Sequence, residues 1–252
     1  MHVRTARLAT IAVLAAALTA CSSDKPASDA NHTAGGSAVV PDQTSSARIA
    51  VRLVWSHTGK DVTGDKTVTY VARVSNPSSS VASAALDVRA LDETDAIIGS
   101  SQDTLPNIPA HTTFDFLGSL GGSFSPLTGN PAKIDVTEAK DAFGRAGSVE
   151  QPMLGTSELT LTQGSRDDLT TEDPYSYNLT AKVTNSTHGD LKGMVTQQVI
   201  LYNAASQVVG GDTGTSDNAP STLPAGMSYR EQWTGIPALE KATRAVYTVW
   251  AG

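Results

Sequence analysis

The residues able to do chemistry are few: one cysteine, five histidines and some acidic loops. Cys21 is the best placed. It follows Leu18-Thr19-Ala20 at the end of an uncharged, mostly apolar run over residues 8–18, and Arg4 and Arg7 make the preceding segment positive. Small residues just before the cysteine fit the narrow pocket of a signal peptidase, and the thiol is the nucleophile that diacylglycerol transfer requires. Eleven helical residues rise about 16 Å, half of a bilayer's hydrocarbon core, so the run has the size of a signal-peptide core and not of a transmembrane helix. As the only cysteine, Cys21 leaves no partner for an intramolecular disulfide, and no thiol for a thiolate zinc site or a catalytic nucleophile.

In these residues the chain resembles the bacterial lipoprotein family, whose lipobox has Leu, then small residues, then Cys. The resemblance implies that residues 1–20 are a signal peptide, that Cys21 becomes the first mature residue, and that palmitate-type acyl chains anchor it to the extracytoplasmic face of the cell membrane. Two acyl chains hold a protein stably where one does not.

Elsewhere the motifs argue against an enzyme. His2, His32, His57, His111 and His188 are scattered, and none lies two or four residues from another, so no local metal clip is expected. Gly121-Gly122-Ser123-Phe124-Ser125 nearly spells a nucleophile elbow but ends in Ser and lacks a strand-to-helix turn. Ser22 and Lys25 have Ser-x-x-Lys spacing inside a segment too polar to preorganise them, and Gly59-Lys60 has no phosphate-binding frame. The densest acidic cluster is Asp167, Asp168, Glu172 and Asp173, with Asp61 and Asp65 as its counterpart earlier in the chain. Such loops either gather Ca²⁺, which wants six to eight oxygens, or are simply solvated. Catalytic residues, cofactors and resident metals are therefore all expected to be none. Trp55, Trp233, Trp250, Tyr175 and Tyr177 are expected mostly in the core. Asn178 and Asn185 head glycosylation-type triplets that a bacterial lipoprotein would leave unused.

The elements that hold these residues are read from patterning. Without residues 1–20 the chain keeps 16 Lys and Arg against 25 Asp and Glu, a net charge of −9, which disfavours nucleic acid and anionic lipid as partners. Residues 21–46 are rich in Ser, Ala, Gly, Asp and Pro and form a lipidated, disordered tether spanning about 25–30 Å. From residue 47 the text alternates with period two: Ile49, Val51, Leu53; then, after a polar loop over 56–66, Tyr70, Ala72, Val74 against Val71, Arg73, Ser75; then Leu86, Val88, Ala90 against Asp87, Arg89. Thr112, Phe114 and Phe116 follow, then Ile134 and Val136. The pattern recurs. Ala72 to Asn76 matches Ala181 to Asn185 at an offset of 109, Ala96-Ile97-Ile98-Gly99 matches Gln207-Val208-Val209-Gly210 at 111, and Ile108-Pro109-Ala110 matches Leu223-Pro224-Ala225 at 115.

The expected fold is all-β: two tandem immunoglobulin-like β-sandwich domains, 47–139 and 156–252, joined by a linker over 140–155. Each copy resembles the FxLYD domain, a small sandwich module of bacterial surface proteins. The second carries the pattern best, in Val199-Ile200-Leu201-Tyr202-Asn203 followed by Gln207-Val208-Val209-Gly210. The first has Val88-Arg89-Ala90-Leu91-Asp92 instead. Asn76, Asp92, Asn185 and Asn203 are read as turn-forming residues. The resemblance implies neither an enzymatic activity nor a defined ligand. The expected function is a non-catalytic binding or spacer module of the cell envelope, its partner another envelope protein, a wall polymer or an extracellular ligand. The alternative is a hydrolytic or ion-dependent site assembled between the two domains.

Overall fold

In the computed structural model the described residues are 48–61, 63–123, 125–140, 151–169 and 173–251. The signal peptide, Cys21 and the tether lie outside them. The strands are β1 (Ala50–Lys60), β2 (Lys66–Ser75), β3 (Ala85–Leu91), β4 (Ile97–Thr104), β5 (Thr113–Gly121), β6 (Lys133–Glu138), β7 (Gly155–Gln163), β8 (Tyr175–Thr184), β9 (Leu191–Lys192), β10 (Val195–Tyr202), β11 (Val208–Thr215), β12 (Thr222–Leu223), β13 (Ser228–Ala238) and β14 (Arg244–Ala251). One 3₁₀ turn, Arg166–Asp168, is the only helical element among the described residues. The described residues are all-β, consistent with the β-sandwich class.

The sequence repeat is also a repeat of topology. In the first copy the sheets run β1-β2-β5 and β4-β3-β6. In the second, β7-β8-β13 and β11-β10-β14 repeat those orders, and a single pair, Gly210 with Ala238, joins them into one six-stranded sheet. All described residues belong to one compact unit.

The turns repeat residue for residue in their main bonds. Asn76 is buried after β2; its Nδ2 donates to the carbonyls of Ser80 (2.8 Å), Ile108 (3.0 Å) and Pro109 (3.1 Å), while its Oδ1 accepts from Ser78 N. Asn185 does the same after β8, with Gly189 O (2.8 Å), Leu223 O (2.9 Å) and Thr187 N. Asp92 and Asn203 each accept two backbone N–H groups in the next turn. Asp95 and Ser206 there share a left-handed φ near 60°.

One expectation needs correction. The loop expected over 56–66 is only 61–65, because Ser56 to Lys60 pair in register with Tyr70 to Lys66 and continue the hairpin. At the far end of the segment expected as a linker over 140–155, Leu154 N donates to Val249 O (2.8 Å), Ala251 N to Pro152 O (3.1 Å) and Asn107 N to Gln151 O (2.9 Å). Val71, which alternates with the core residues Tyr70 and Ala72, is wholly buried as well. The cause is a seam between the copies. Val71 and Leu117, on the outer face of β1-β2-β5, pack with Ile200, Tyr202 and Val208 from β10 and β11, and Trp55 and Val246 flank them.

Candidate functional site

The seam is built from both apolar and polar parts. Strand β5 is an edge of its sheet, leaving Leu117 N–H and Asp115 C=O unpaired within the sheet. The Gln198 side chain satisfies both: Leu117 N donates to its Oε1 (2.9 Å) and its Nε2 donates to Asp115 O (2.7 Å). A side-chain amide thus replaces one rung of a β-ladder and closes an edge that would otherwise invite another strand. Beside it, Arg73 grips the Asp115 carboxylate with two bonds (2.7 and 2.9 Å), and Tyr202 Oη donates to the same carboxylate (3.0 Å). Burial raises the Asp115 carboxyl pKa, but the bonds from Arg73 and Tyr202 outweigh it and hold the group below its ordinary range. Burial and Asp115 push the Tyr202 phenol up to about 12. Arg244 lies over the Tyr202 ring, 4.0 Å from its centroid. Gly211, at φ +150°, has no room for a Cβ, which would sit 2.2 Å from Val199 O within its own sheet and 2.7 Å from Leu117 Cδ1 across the seam.

Beyond the seam the copies diverge and leave a cleft of about 550 Å³. The first copy lines it with the β1–β2 hairpin, from His57 to Thr69, and with Asn130 and Pro131, and the second copy lines it with Asp173, Pro174, Pro237 and Leu239. His57 stacks on Trp55, the seam's outermost aromatic, with centroids 6.2 Å apart. Cleft and seam are therefore continuous along β1.

The remaining expected site residues are not brought together. Cys21 and Glu172 lie outside the described residues. His111 sits in an exposed turn and His188 in an exposed loop. Among the described residues no group of three or more His, Cys, Asp or Glu is placed to hold a metal. In the acidic loops the carboxylates serve the backbone. Asp61 accepts from Thr63 N, Asp65 N and Ser123 N, and these bonds, led by the one from the Thr63 hydroxyl, hold its pKa at about 2. Asp168 caps the 3₁₀ turn by accepting from Ser165 N (3.2 Å). Ser123 follows an edge strand and no helix, so its motif makes no elbow. Asn185 spends its amide on buried carbonyls and is closed to modification.

The aromatics are structural. Trp250 reaches from β14 into the first copy's core, 6.4 Å from Phe116, Trp233 and Tyr175 pack on the second core, and Tyr177 Oη accepts from Ala242 N (2.7 Å).

The cleft itself was missed by motif reading. Its signal was present in the unbroken apolar runs Tyr70-Val71-Ala72 and Val199-Ile200-Leu201-Tyr202, which mark strands covered on both faces and hence a contact between copies. No family model matches the chain, and no curated protein matches it.

Proposed function

We propose that this chain is a bacterial lipoprotein held by lipid on Cys21 at the extracytoplasmic face of the membrane. Its two copies are immunoglobulin-like sandwiches of the FxLYD kind, and they act together as a non-catalytic binding or spacer module of the envelope. The observation that carries this reading is the seam. A packed apolar row reinforced by Gln198 and by the Arg73–Asp115–Tyr202 network holds the copies in one arrangement, so the cleft beside it is preformed and its ligand need not order it.

A hydrolytic site between the copies is the second reading, because the cleft gathers His57, Lys60, Lys66 and Asp173. Among the described residues no hydrogen bond joins His57 to a cleft hydroxyl, so no nucleophile is paired with a base there. That favours binding.

The test is crosslinking of the anchored protein on intact cells, followed by partner identification, with Cys21→Ala alongside. The expected result is a specific envelope partner trapped by wild type and lost, with detergent-phase partitioning, in Cys21→Ala. Turnover of a wall or peptide substrate by the purified protein, with no partner trapped, would overturn the binding reading.

A further inference from the structure

We propose that the cleft takes an organic anion, with a phosphate or carboxylate head held by Lys60 and Lys66 and an apolar body laid on Pro174, Pro237 and Leu239. This deepens the binding reading above and rests on it.

The argument starts from an unfavourable pairing. Lys60 and Lys66 are directly opposite each other as the last rung of the β1–β2 ladder, and like charges so placed repel. The chain has 25 acidic residues against 18 basic ones, so carboxylates to neutralise them are plentiful. Yet the ion pairs among the described residues engage Arg73, Arg89, Lys182 and Arg230, and neither of these lysines. Lys66 Nζ donates instead to the neutral Asn130 Oδ1. Two lysines paired on one face of the hairpin and lining one cleft form a point-charge receptor for anionic oxygen.

The rest of the lining fits the same ligand. The Thr58 hydroxyl, on the same face of the hairpin as both lysines, supplies a further donor, and Thr67 and Thr69 line the cleft from the other face. The opposite wall is proline and leucine, rigid and without side-chain donors, and suits an apolar body. The volume, about 550 Å³, is that of a small-molecule site. A polyanion such as nucleic acid is opposed by the acidic balance of the whole body.

The experiment is an amide chemical-shift titration of the full chain in nonionic micelles with four probes: phenyl phosphate, benzoate, inorganic phosphate and phenol. The expected result is that phenyl phosphate and benzoate shift Thr58, Lys60 and Thr67, each binding about tenfold or more tighter than inorganic phosphate or phenol. Lys60→Gln/Lys66→Gln should weaken both aryl anions by about tenfold without lowering the melting temperature, since the repulsion between the two lysines is removed. Lys192→Gln/Lys241→Gln, the same charge change elsewhere, should leave affinity intact. Silence with both aryl anions, shifts located elsewhere, or affinity indifferent to the cleft double variant would each overturn the proposal. A partner trapped on cells together with a silent titration removes this ligand and keeps the binding module. Aryl-anion binding with no partner trapped keeps the cleft and removes the macromolecular partner.

Discussion

At Asn76 and Asn185 the two copies are the same object, and at Phe116 and Glu231 they are opposites. The ladders place Phe116 opposite Ala72 and Glu231 opposite Ala181, so the two positions correspond. The first copy fills its core there with Phe116, Leu105, Leu86 and Val136; the second has Glu231, Ser216, Gln197 and Tyr247. Glu231 is buried and accepts from Ser216 Oγ and from Asn218 Nδ2 (2.8 Å), and Tyr247 Oη donates to Gln197 Oε1 (2.6 Å). The first copy has its own partly buried polar pair on different strands, where Tyr70 donates to Asp103. Bulk is exchanged across one rung as well: Tyr70 faces Gly118 in the first copy, whereas Leu179 faces Trp233 in the second. A sandwich tolerates such refilling while volume and hydrogen bonds close, but it does not tolerate a change of turn.

The outer faces differ for another reason. Gln198, Ile200 and Tyr202 form the second copy's half of the seam, and their counterparts Asp87, Arg89 and Leu91 carry an Asp–Arg pair at 2.6 Å on a free face. Val71 and Leu117 form the first copy's half, and their counterparts are Thr180 and Gln232. The contact is head-to-tail, a geometry that would otherwise repeat into a fibre, and both outer ends are polar. This also explains why Leu91 stands where the second copy has Tyr202. The aromatic belongs to the seam, not to the turn.

The comparison predicts equal losses at the turns and unequal ones in the cores. Asn76→Ala and Asn185→Ala should each cost about 3 kcal/mol or more, because each strands several buried carbonyls and an N–H. Chemical denaturation of the two variants checks this, and a cost confined to one copy would mean that the turns are not equivalent. In the second core, Ser216→Ala should cost about 2 kcal/mol by removing a donor from a buried carboxylate. Adding Glu231→Leu to it should recover most of that loss, since an apolar pair of similar volume replaces a broken polar one. The first copy offers no such rescue at Leu105 and Phe116, where truncation leaves only a cavity.

Strand types, the repeat and the turn asparagines were legible from the sequence because each has a local signature: period two, fixed offsets, Asn after Val-x. The cleft and the polar core were not. Glu231 alternates with Arg230 and Gln232 in a stretch that reads as solvent-facing, and only the ladder shows it turned inward with Ser216 from fifteen residues away. The alternation around Val71 gives two faces without saying that both are covered, as the seam covers them. Sequence periodicity reports one partner per face and says nothing of which copy supplies it.

A smaller effect should separate the cores by pH. Asp212 shares an inward rung with Val199 and Tyr247, where the first copy has Ser101 on a rung with Val88 and Val136. Burial raises the Asp212 carboxyl from 3.8 to about 6, against the lowering effect of Thr213 N–H. Between those values the folded state holds a proton that the unfolded chain has released. Stability from this group is therefore highest below about pH 4, falls as pH rises to about 6, and is flat above. Asp212→Asn should remove that fall and gain about 1–2 kcal/mol at pH 7. The check is the difference between wild type and variant in urea midpoints from pH 4 to 7, which cancels the opposite slopes of Asp61 and Asp115.

The smallest effect tests the turns at a single Cβ. His111 stands at φ 55° and its counterpart Gly226 at φ 75°, each donating its N–H to a neighbouring loop carbonyl, Ser78 O (3.1 Å) and Asn185 O (2.8 Å). His111 is exposed, and a Cβ built on Gly226 would meet nothing within 4 Å, so packing is absent from both sites. What differs is backbone energy alone. A left-handed residue with a Cβ costs about 1–2 kcal/mol, and glycine gives back about 0.5–1 kcal/mol through its freer unfolded chain. His111→Gly should therefore raise stability by about 0.5 kcal/mol, and Gly226→His should lower it by the same amount. Opposite signs of equal size in thermal denaturation would establish that the two turns are one structure written twice. Equal signs would show that His111 has a role in the first copy that its geometry does not express.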